Sequence, residues 1–148
     1  MTPTPKTRVL FVCIGNACRS QMAEAFANTY GSDVLVAASA GLAPASAVHP
    51  MTVHAMEDKN IDLQAHFPKA LRHLTRAQFD LIVNISGSYL SNPPAGQIID
   101  WDIDDPVFME WEEHCKIRDE IERRVMALIL QLRRAPEPKF RGQGSGRV

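Results

Sequence analysis

The sequence predicts an α/β fold in three layers, α/β/α, with a four-stranded parallel sheet and an anion-binding loop after the first strand. Two patterns predict it. Short apolar runs alternate with segments of helical spacing, an order typical of β-α-β units, whose strands run parallel with right-handed connections. The first apolar run, Val9–Val12, leads into the loop Cys13–Ser20, and a helix-forming segment follows at once.

The other predicted elements follow from the apolar pattern. In the first helix, predicted from Ser20 to about Tyr30, Met22 and Phe26 lie one turn apart, and Gly31 marks the end. Pro50 suits the first turn of a second helix. The remaining predictions are strands at 34–38, 81–85 and 97–101, a second helix at 50–59, a short helix at 68–74 and a last helix at 108–134.

The last predicted helix carries an apolar stripe that should pack on the rest of the domain. Its members are Trp111, Cys115, Ile121, Val125, Leu128 and Leu132, and we expect Cys115 to be a core residue. We expect residues 1–134 to form a single catalytic domain. We expect residues 135–148 to be disordered, because a segment rich in Pro and Gly cannot bury a core.

Composition excludes several classes of partner. The chain has 148 residues, 45% of them hydrophobic, which suffices for one domain with a core. A net charge of −1 gives no bulk field for nucleic acid or an anionic membrane, and no apolar run can span a bilayer. Three cysteines form no disulfide framework, and residues 1–6 lack the apolar core of a signal peptide. We therefore expect a cytoplasmic protein without nucleic-acid or membrane partners.

The loop Cys13–Ser20 combines the groups that attack and bind a tetrahedral oxyanion. Backbone N–H groups and a helix N-terminus create a positive field, which favours the thiolate of Cys13. Arg19, six residues after Cys13, can return to bind two oxygens of the same anion. Gly15 and Asn16 tolerate the backbone angles that such a loop needs. We therefore expect Cys13 to be a nucleophile and Arg19 an anion ligand.

Backbone N–H groups along the loop are expected to complete the anion site. The predicted oxyanion-binding residues are Ile14, Gly15, Asn16, Ala17, Cys18, Arg19 and Ser20. Ser20 has a second interpretation as an ordinary helix N-cap, and both interpretations can hold together.

Four motifs, taken in order, resemble those of a known family. They are the Cys13 loop, Ser39–Gly41 after the second strand, Phe79–Val83 at the third, and Asp104–Pro106 near the end. From about residue 8 to about residue 132 the chain resembles the low-molecular-weight phosphotyrosine protein phosphatases, a superfamily that includes the thioredoxin-coupled arsenate reductases. The resemblance implies a phosphatase-type anion loop after the first strand.

The resemblance also implies roles for individual residues. In the family the general acid immediately precedes the proline, which indicates Asp105 rather than Asp104 or Asp102. The matching serine, here Ser20, donates its hydroxyl to the sulfur. The matching asparagine, here Asn16, holds the loop in shape.

Cys18 and two aromatic residues have open interpretations. In the phosphatases, a cysteine at the position of Cys18 can form a reversible disulfide with the nucleophile. Cys18 is therefore a candidate redox partner of Cys13, with plain packing as the alternative. Trp101 and Phe108 flank the Asp105 loop and either line the substrate mouth or belong to the core.

The two branches of the superfamily share attack by Cys13 and differ in what resolves the adduct. Segments 50–56 and 104–106 resemble the reductases, and Val107-Phe108 stands where the phosphatases usually have an aromatic pair. The thioredoxin-coupled reductases carry a resolving cysteine just after the third strand, where this chain has Ser86. Because serine forms no disulfide, a reductase here needs an external thiol.

Taken alone, the sequence favours a phosphatase, because hydrolysis requires no missing group. The predicted function is hydrolysis of phosphomonoesters through phospho-Cys13, with Asp105 as general acid and base. The alternative is an arsenate reductase that uses Cys13 and an external thiol, either mycothiol, glutathione, thioredoxin or another redoxin. A remote alternative is a non-catalytic oxyanion-binding module.

The expected partners are phosphate, arsenate or a phosphorylated substrate, with a small thiol or redoxin added for a reductase. No cofactor and no metal are expected. His49 and His54 are five residues apart and His66 and His73 seven, and neither spacing suits a helical metal site. The sequence contains no Walker lysine motif and no Gly-x-Gly-x-x-Gly, which argues against nucleotide binding.

Overall fold

The computed structural model describes residues 5–134. The strands are β1 (Thr7–Cys13), β2 (Leu35–Gly41), β3 (Gln78–Asn84) and β4 (Ala95–Asp100), and the helices are α1 (Arg19–Tyr30), α2 (Pro50–Glu57) and α3 (Trp111–Arg134). A 3₁₀ turn spans Leu71–Leu74. The segment 135–148, for which we predicted disorder, lies outside the described residues.

The sheet confirms the predicted fold class. Its strand order is β2-β1-β3-β4, and every neighbouring pair is parallel. β1 pairs with β2 along its whole length and with β3 from Val9 to Val12. The chain thus passes to one side of β1 for β2 and to the other side for β3. Parallel sheets bind ligands at the carboxyl ends of the strands where the order reverses in this way, which is where Cys13 lies.

Both faces of β1 are buried, which explains its unbroken apolar run. Val9 and Phe11 face a large core shared with α1 and α3. Leu10 and Val12 face a smaller core on the other side, together with Leu71 of the 3₁₀ turn. The third layer is therefore thin, because the 3₁₀ turn and connecting segments cover this second face.

Two element boundaries differ from the predictions for clear reasons. The short helix predicted at 68–74 is only the 3₁₀ turn, because Ala70 is extended and forms a bridge with Gly41 of β2. The last helix begins at Trp111 rather than Phe108, because the preceding residues form a turn. The Met109 N–H closes that turn by donating to the Pro106 carbonyl at 3.0 Å.

The apolar stripe predicted for α3 is correct from Ile121 onwards and wrong at its start. Trp111 is exposed and Cys115 is only half-buried, whereas His114 is 0% exposed. Ile117 follows His114 on the inner face, so the buried stripe starts there and Cys115 is not a core residue. Neither α3 nor any other helix within residues 5–134 combines the length and apolar character needed to span a membrane.

Gly41→Ala should destabilise the protein, because the added Cβ would lie 2.7 Å from the Ile14 carbonyl oxygen and 2.9 Å from the Asn16 amide nitrogen. Both are backbone atoms, which cannot swing aside as a flexible side chain can. We expect a loss of about 1–3 kcal/mol in the free energy of unfolding, measured in urea. Gly15→Ala is the matched control, because its Cβ would have no neighbour closer than 3.9 Å. Equal stability of the two variants would contradict the steric argument.

Candidate active site

Cys13 ends β1, and hydrogen-bond donors surround its sulfur. The side chain is 2% exposed. Its Sγ lies 2.8 Å from the Ser20 hydroxyl and accepts the Asn16 backbone N–H at 3.2 Å. Donors at these distances stabilise a negatively charged sulfur, which is the nucleophilic form. The Ser20 contact has the geometry predicted for a hydroxyl that donates to the sulfur.

Asn16 holds the loop in a left-handed turn. Its φ is 50°, a backbone conformation that Asn adopts more readily than most residues. Its side-chain amide donates to the Ser20 hydroxyl at 2.7 Å and to the Ser39 hydroxyl at 2.9 Å. Its side-chain carbonyl accepts the Lys69 backbone N–H at 2.9 Å. Asn16 thus connects the loop to α1, to β2 and to the segment that precedes the 3₁₀ turn, as the predicted loop-holding role requires.

The carbonyl groups of the loop point away from Cys13. Those of Cys13, Ile14 and Gly15 accept the N–H groups of residues 42, 43 and 45 at 3.1, 2.8 and 2.9 Å, and that of Ala17 accepts the N–H of residue 49 at 3.0 Å. The segment 42–49 therefore holds the acceptor side of the loop. On the opposite side the Asn16 N–H faces the sulfur, and we expect the neighbouring N–H groups to face the same side. This is the arrangement that binds an anion.

Arg19 is almost fully buried; its Nη1 makes the hydrogen bonds to the protein, and its Nη2 forms an ion pair with Asp105 at 3.5 Å. Nη1 donates to the Ile85 carbonyl at 2.8 Å and to the Ile103 carbonyl at 2.9 Å. Among the residues that the structure describes, Nε has no hydrogen-bond partner, although it is buried. A buried N–H without an acceptor is costly. The edge formed by Nε and Nη2 therefore suits two oxygens of a tetrahedral oxyanion.

A cavity of about 190 Å³ lies between the loop and Asp105, bounded by Cys13, Ile14, Gly15, Ala17, Cys18, Arg19, Ala45, Asp105 and Val107. The N-terminus of α1 opens into this region, and no side chain caps it. An uncapped helix N-terminus attracts an anion. The structure thus brings five of the seven predicted anion-binding residues to the lining of one small cavity, whereas Asn16 and Ser20 are fully buried outside that lining.

Asp105 reaches this cavity from a loop 86 residues further along the chain than Arg19. Its Oδ2 lies 3.5 Å from Arg19 Nη2, and its side chain is 44% exposed. Its Oδ1 accepts the Val107 backbone N–H at 3.1 Å, which forms a tight turn around Pro106. A carboxyl group in this position can exchange a proton with a group bound at Cys13 and with solvent.

Cys18 lies in the same loop but in a different environment. It is 4% exposed, and its thiol is free, as is that of Cys13. Burial raises the pKa of Cys18 to about 11, and the neighbouring Thr52 side chain acts in the opposite direction. Cys18 is thus a buried thiol that stays protonated at neutral pH, and its pairing with Cys13 stays a prediction.

The position expected for a resolving cysteine is occupied by a buried serine. Ser86 lies just after β3, and its hydroxyl donates to the Asn84 side-chain carbonyl at 2.6 Å. Of the two flanking aromatic residues, Trp101 packs on Phe11 with ring centroids 5.8 Å apart. Phe108 is 95% exposed and does not line the cavity. Within residues 5–134 no cluster of three His, Cys, Asp or Glu side chains could hold a metal ion.

Sequence reasoning missed part of the support around Asn16. The Ser39 hydroxyl donates to Glu24 at 2.5 Å, and the Gln21 side-chain amide donates to the Asn16 backbone carbonyl at 3.0 Å. Gln21 also contacts His66 at 2.8 Å. One signal was available: Gln21 and Glu24 are polar residues one turn apart on α1, and both are at least half-buried.

Iodoacetate should alkylate Cys13 at pH 7 and largely spare the other two thiols. Burial raises the pKa of Cys18 and that of Cys115, so both stay in the unreactive protonated form at this pH. Mass spectrometry of the peptides after a short exposure measures each thiol separately. Inorganic phosphate should protect Cys13 by filling the cavity. Similar labelling of all three thiols, or a lack of protection, would contradict the assigned roles.

Known relatives match most of this chain and share its fold. An arsenate reductase of Bacillus cereus (strain Q1) is 36% identical over 124 residues, which cover 81% of this chain and 92% of the relative. A glutaredoxin arsenate reductase of Synechocystis is 33% identical over 129 residues, covering 84% and 98%. The solved structure of an arsenate reductase in the phosphate binding state superposes with a TM-score of 0.74 at 30% identity, covering 85% and 98%.

The family match covers both the loop and the Asp105 region. The model of the family described as low molecular weight phosphotyrosine protein phosphatase matches residues 8–137. Enzymes with a cysteine-dependent first step, the arsenate reductases included, share this fold. The match confirms the resemblance on which the residue roles were predicted. The chain therefore belongs to the low molecular weight phosphotyrosine protein phosphatase family.

Proposed function

We propose that this protein is an arsenate reductase in which Cys13 attacks arsenate and an external thiol resolves the adduct. The observation that carries the proposal is the cavity in which Cys13 Sγ, the open edge of Arg19 and Asp105 face one another. The names of the relatives at 33% and 36% identity support arsenate as the substrate and favour this function over the phosphatase that the sequence alone suggested.

The first step follows from the geometry of the loop. Arsenate, a tetrahedral oxyanion, binds to the N–H groups of the loop and to the Nε–Nη2 edge of Arg19. The Cys13 thiolate attacks arsenic and forms a sulfur–arsenic bond. One oxygen leaves as water after it takes a proton from Asp105. No electrons are transferred in this step, so arsenic remains pentavalent in the adduct.

The second step needs a thiol from outside the chain. An external thiolate attacks Cys13 Sγ, the sulfur–arsenic bond breaks, and arsenite leaves with the electron pair. A second external thiol then reduces the mixed disulfide and restores Cys13. Two external thiols thus supply the two electrons that reduce arsenic from the pentavalent to the trivalent state.

We propose that this thiol approaches through a cleft beside the missing relay position. A cleft of about 460 Å³ is lined by Asn84, Gly87, Ser88, Tyr89, Asp100, Trp101 and Asp102. It opens at the carboxyl ends of β3 and β4, next to the buried Ser86. β3 pairs directly with β1, so the cleft adjoins the strand that ends at Cys13. The name of the Synechocystis relative supports a glutaredoxin-type reductant.

A second candidate is hydrolysis of phosphomonoesters through phospho-Cys13. The observation that favours it is the lack of any internal resolving thiol near Cys13 other than the buried Cys18, with its pKa raised to about 11. Water activated by Asp105 would then resolve the adduct. The family match is compatible with this function as well.

Arsenate reduction and phosphatase turnover should be measured side by side, without added metal. We expect arsenite release that depends on added thiol, with mycothiol, glutathione plus glutaredoxin, and thioredoxin tested separately. With p-nitrophenyl phosphate we expect about one equivalent of p-nitrophenol and then near-arrest, because the adduct waits for a thiol. Sustained p-nitrophenol turnover of about 1 per second or more, with no arsenite from any thiol, would instead identify a phosphatase.

Cys13→Ser is the control for both assays. It should abolish arsenite and p-nitrophenol release while inorganic phosphate still binds, because the N–H groups and Arg19 remain. Phosphate binding by the unmodified protein, with neither activity, would identify a non-catalytic oxyanion-binding module.

Ser86→Cys should supply the missing relay thiol. We expect one equivalent of arsenite per chain without external thiol, because the introduced thiolate attacks Cys13 Sγ and arsenite leaves with the electron pair. The product is a disulfide between Cys13 and the introduced thiol, detectable by mass spectrometry. Ser88→Cys, an exposed position two residues away, is the matched control. Unchanged dependence on external thiol in Ser86→Cys would contradict the prediction that a thiol at residue 86 reaches Cys13 Sγ.

A further inference from the structure

Three buried polar side chains lie in a row behind the loop Cys13–Ser20. Cys18, Thr52 and His114 come from the loop, from α2 and from α3, and all are at most 4% exposed. Thr52 Oγ1 lies 2.9 Å from His114 Nε2, and the Thr52 hydroxyl acts on the Cys18 thiol, whose pKa it lowers. The Cys18 side chain also packs in the apolar core, but the proposed first chemical step assigns no role to the side chains of Cys18, Thr52 and His114.

The Thr52 hydroxyl has a single hydrogen, so it donates to only one of its two neighbours. Cys18 stays a thiol at neutral pH because burial raises its pKa to about 11, so its S–H can donate to the Thr52 oxygen. Thr52 then donates to His114 Nε2. A neutral imidazole that accepts at Nε2 carries its proton at Nδ1.

His114 lies near the loop that carries Asp105, because both the Pro106 backbone and the Asp105 carboxylate raise the pKa of its ring. Among the described residues its Nδ1 has no hydrogen-bond partner, although the imidazole is fully buried. The Pro106 backbone is the stronger of the two groups that favour a proton on this ring. Pro106 follows Asp105 directly, and its carbonyl already accepts the Met109 N–H at 3.0 Å. A second donor at this carbonyl would fix the turn from both sides.

The charges around His114 keep its ring neutral. Burial lowers its pKa, and the Pro106 backbone acts in the opposite direction. His49, whose ring centroid is 5.7 Å away, and Arg118 lower the pKa further, whereas Asp105 raises it. A neutral His114 with one N–H can act as a directed donor, because only one of its nitrogens carries a proton.

We propose that His114 is a positioning residue. The side chains of Cys18 and Thr52 fix its tautomer, so that its Nδ1–H points to the Pro106 carbonyl. The turn at Pro106 then sets the Asp105 carboxyl over the anion cavity. The role concerns the proton delivered to the leaving oxygen in the first step. That step is common to arsenate reduction and to phosphoester cleavage, so the proposal does not depend on which of them is physiological.

The test is the single-turnover burst of phenol release from two aryl phosphates. p-Nitrophenol leaves without much help, whereas unsubstituted phenol needs a proton as its bond to phosphorus breaks. His114→Phe keeps a planar aromatic ring at this position and removes both ring nitrogens. We expect the burst rate with phenyl phosphate to fall about tenfold or more, with little change for p-nitrophenyl phosphate. Asp105→Asn marks the full effect of losing the acid.

Two further variants keep the test informative where His114→Phe fails to fold. Thr52→Val retains the shape of the side chain and removes the hydroxyl that sets the His114 tautomer, so the same substrate dependence is expected. His114→Asn places an amide near the position of Nδ1 and should restore part of the phenyl phosphate rate. Ile121→Val is the control, because it changes a core residue of α3 outside the row of Cys18, Thr52 and His114. It should slow neither substrate selectively.

Each outcome decides the question. Selective loss with phenyl phosphate, partly restored in His114→Asn, supports a positioning role. Equal slowing of both substrates, or unchanged bursts in both His114→Phe and Thr52→Val, would overturn it and leave His114 as a packing residue. If the unmodified protein gives no burst, the same variants are compared by their rate of arsenite release at saturating thiol, and unchanged rates in both His114→Phe and Thr52→Val overturn the positioning role while the reductase proposal stands.

Discussion

The conformation of Asn16 is the constraint on which the rest of the site depends. With φ at 50° it turns its own N–H towards Cys13 Sγ, while its side chain bonds to Ser20, to Ser39 and to the backbone of Lys69. One buried side chain therefore joins the loop to a helix, a strand and a connecting segment. Since a buried amide stabilises a structure only when its groups are paired, this network favours a single loop conformation.

The site also depends on how the Arg19 guanidinium and the two thiols of the loop are surrounded. A buried guanidinium is stable only when hydrogen-bonded, and the carbonyls of Ile85 and Ile103 satisfy Nη1 of Arg19. Nη2 pairs with Asp105, and among the described residues Nε has no partner. The two thiols of the loop contrast with each other. Donors surround Cys13, whereas Cys18 lies in a buried pocket that keeps its thiol protonated. One loop thus holds the proposed nucleophile and a buried thiol five residues apart.

The strands were predictable because both faces of a central parallel strand are buried, so each strand is a short apolar run bounded by polar or turn residues. The fold class followed from the order of these runs. The prediction for 68–74 was wrong in detail because Ala70 bridges to Gly41, a contact between distant residues that local propensity does not contain. The start of the apolar stripe on α3 was predicted wrongly for a similar reason, since packing against α2 buries His114 instead of Cys115.

The sequence by itself determined the anion loop, because Cys13, the N–H groups and Arg19 lie within one short segment between a strand and a helix. Asp105 was predictable only through the family motif, since nothing local relates it to a loop 86 residues away. Tertiary structure alone decided which edge of Arg19 stays open, that Ser39 supports the loop, and that His114 lies behind the acid. Each of these depends on contacts between segments far apart in the chain, and only packing around the sheet brings them together.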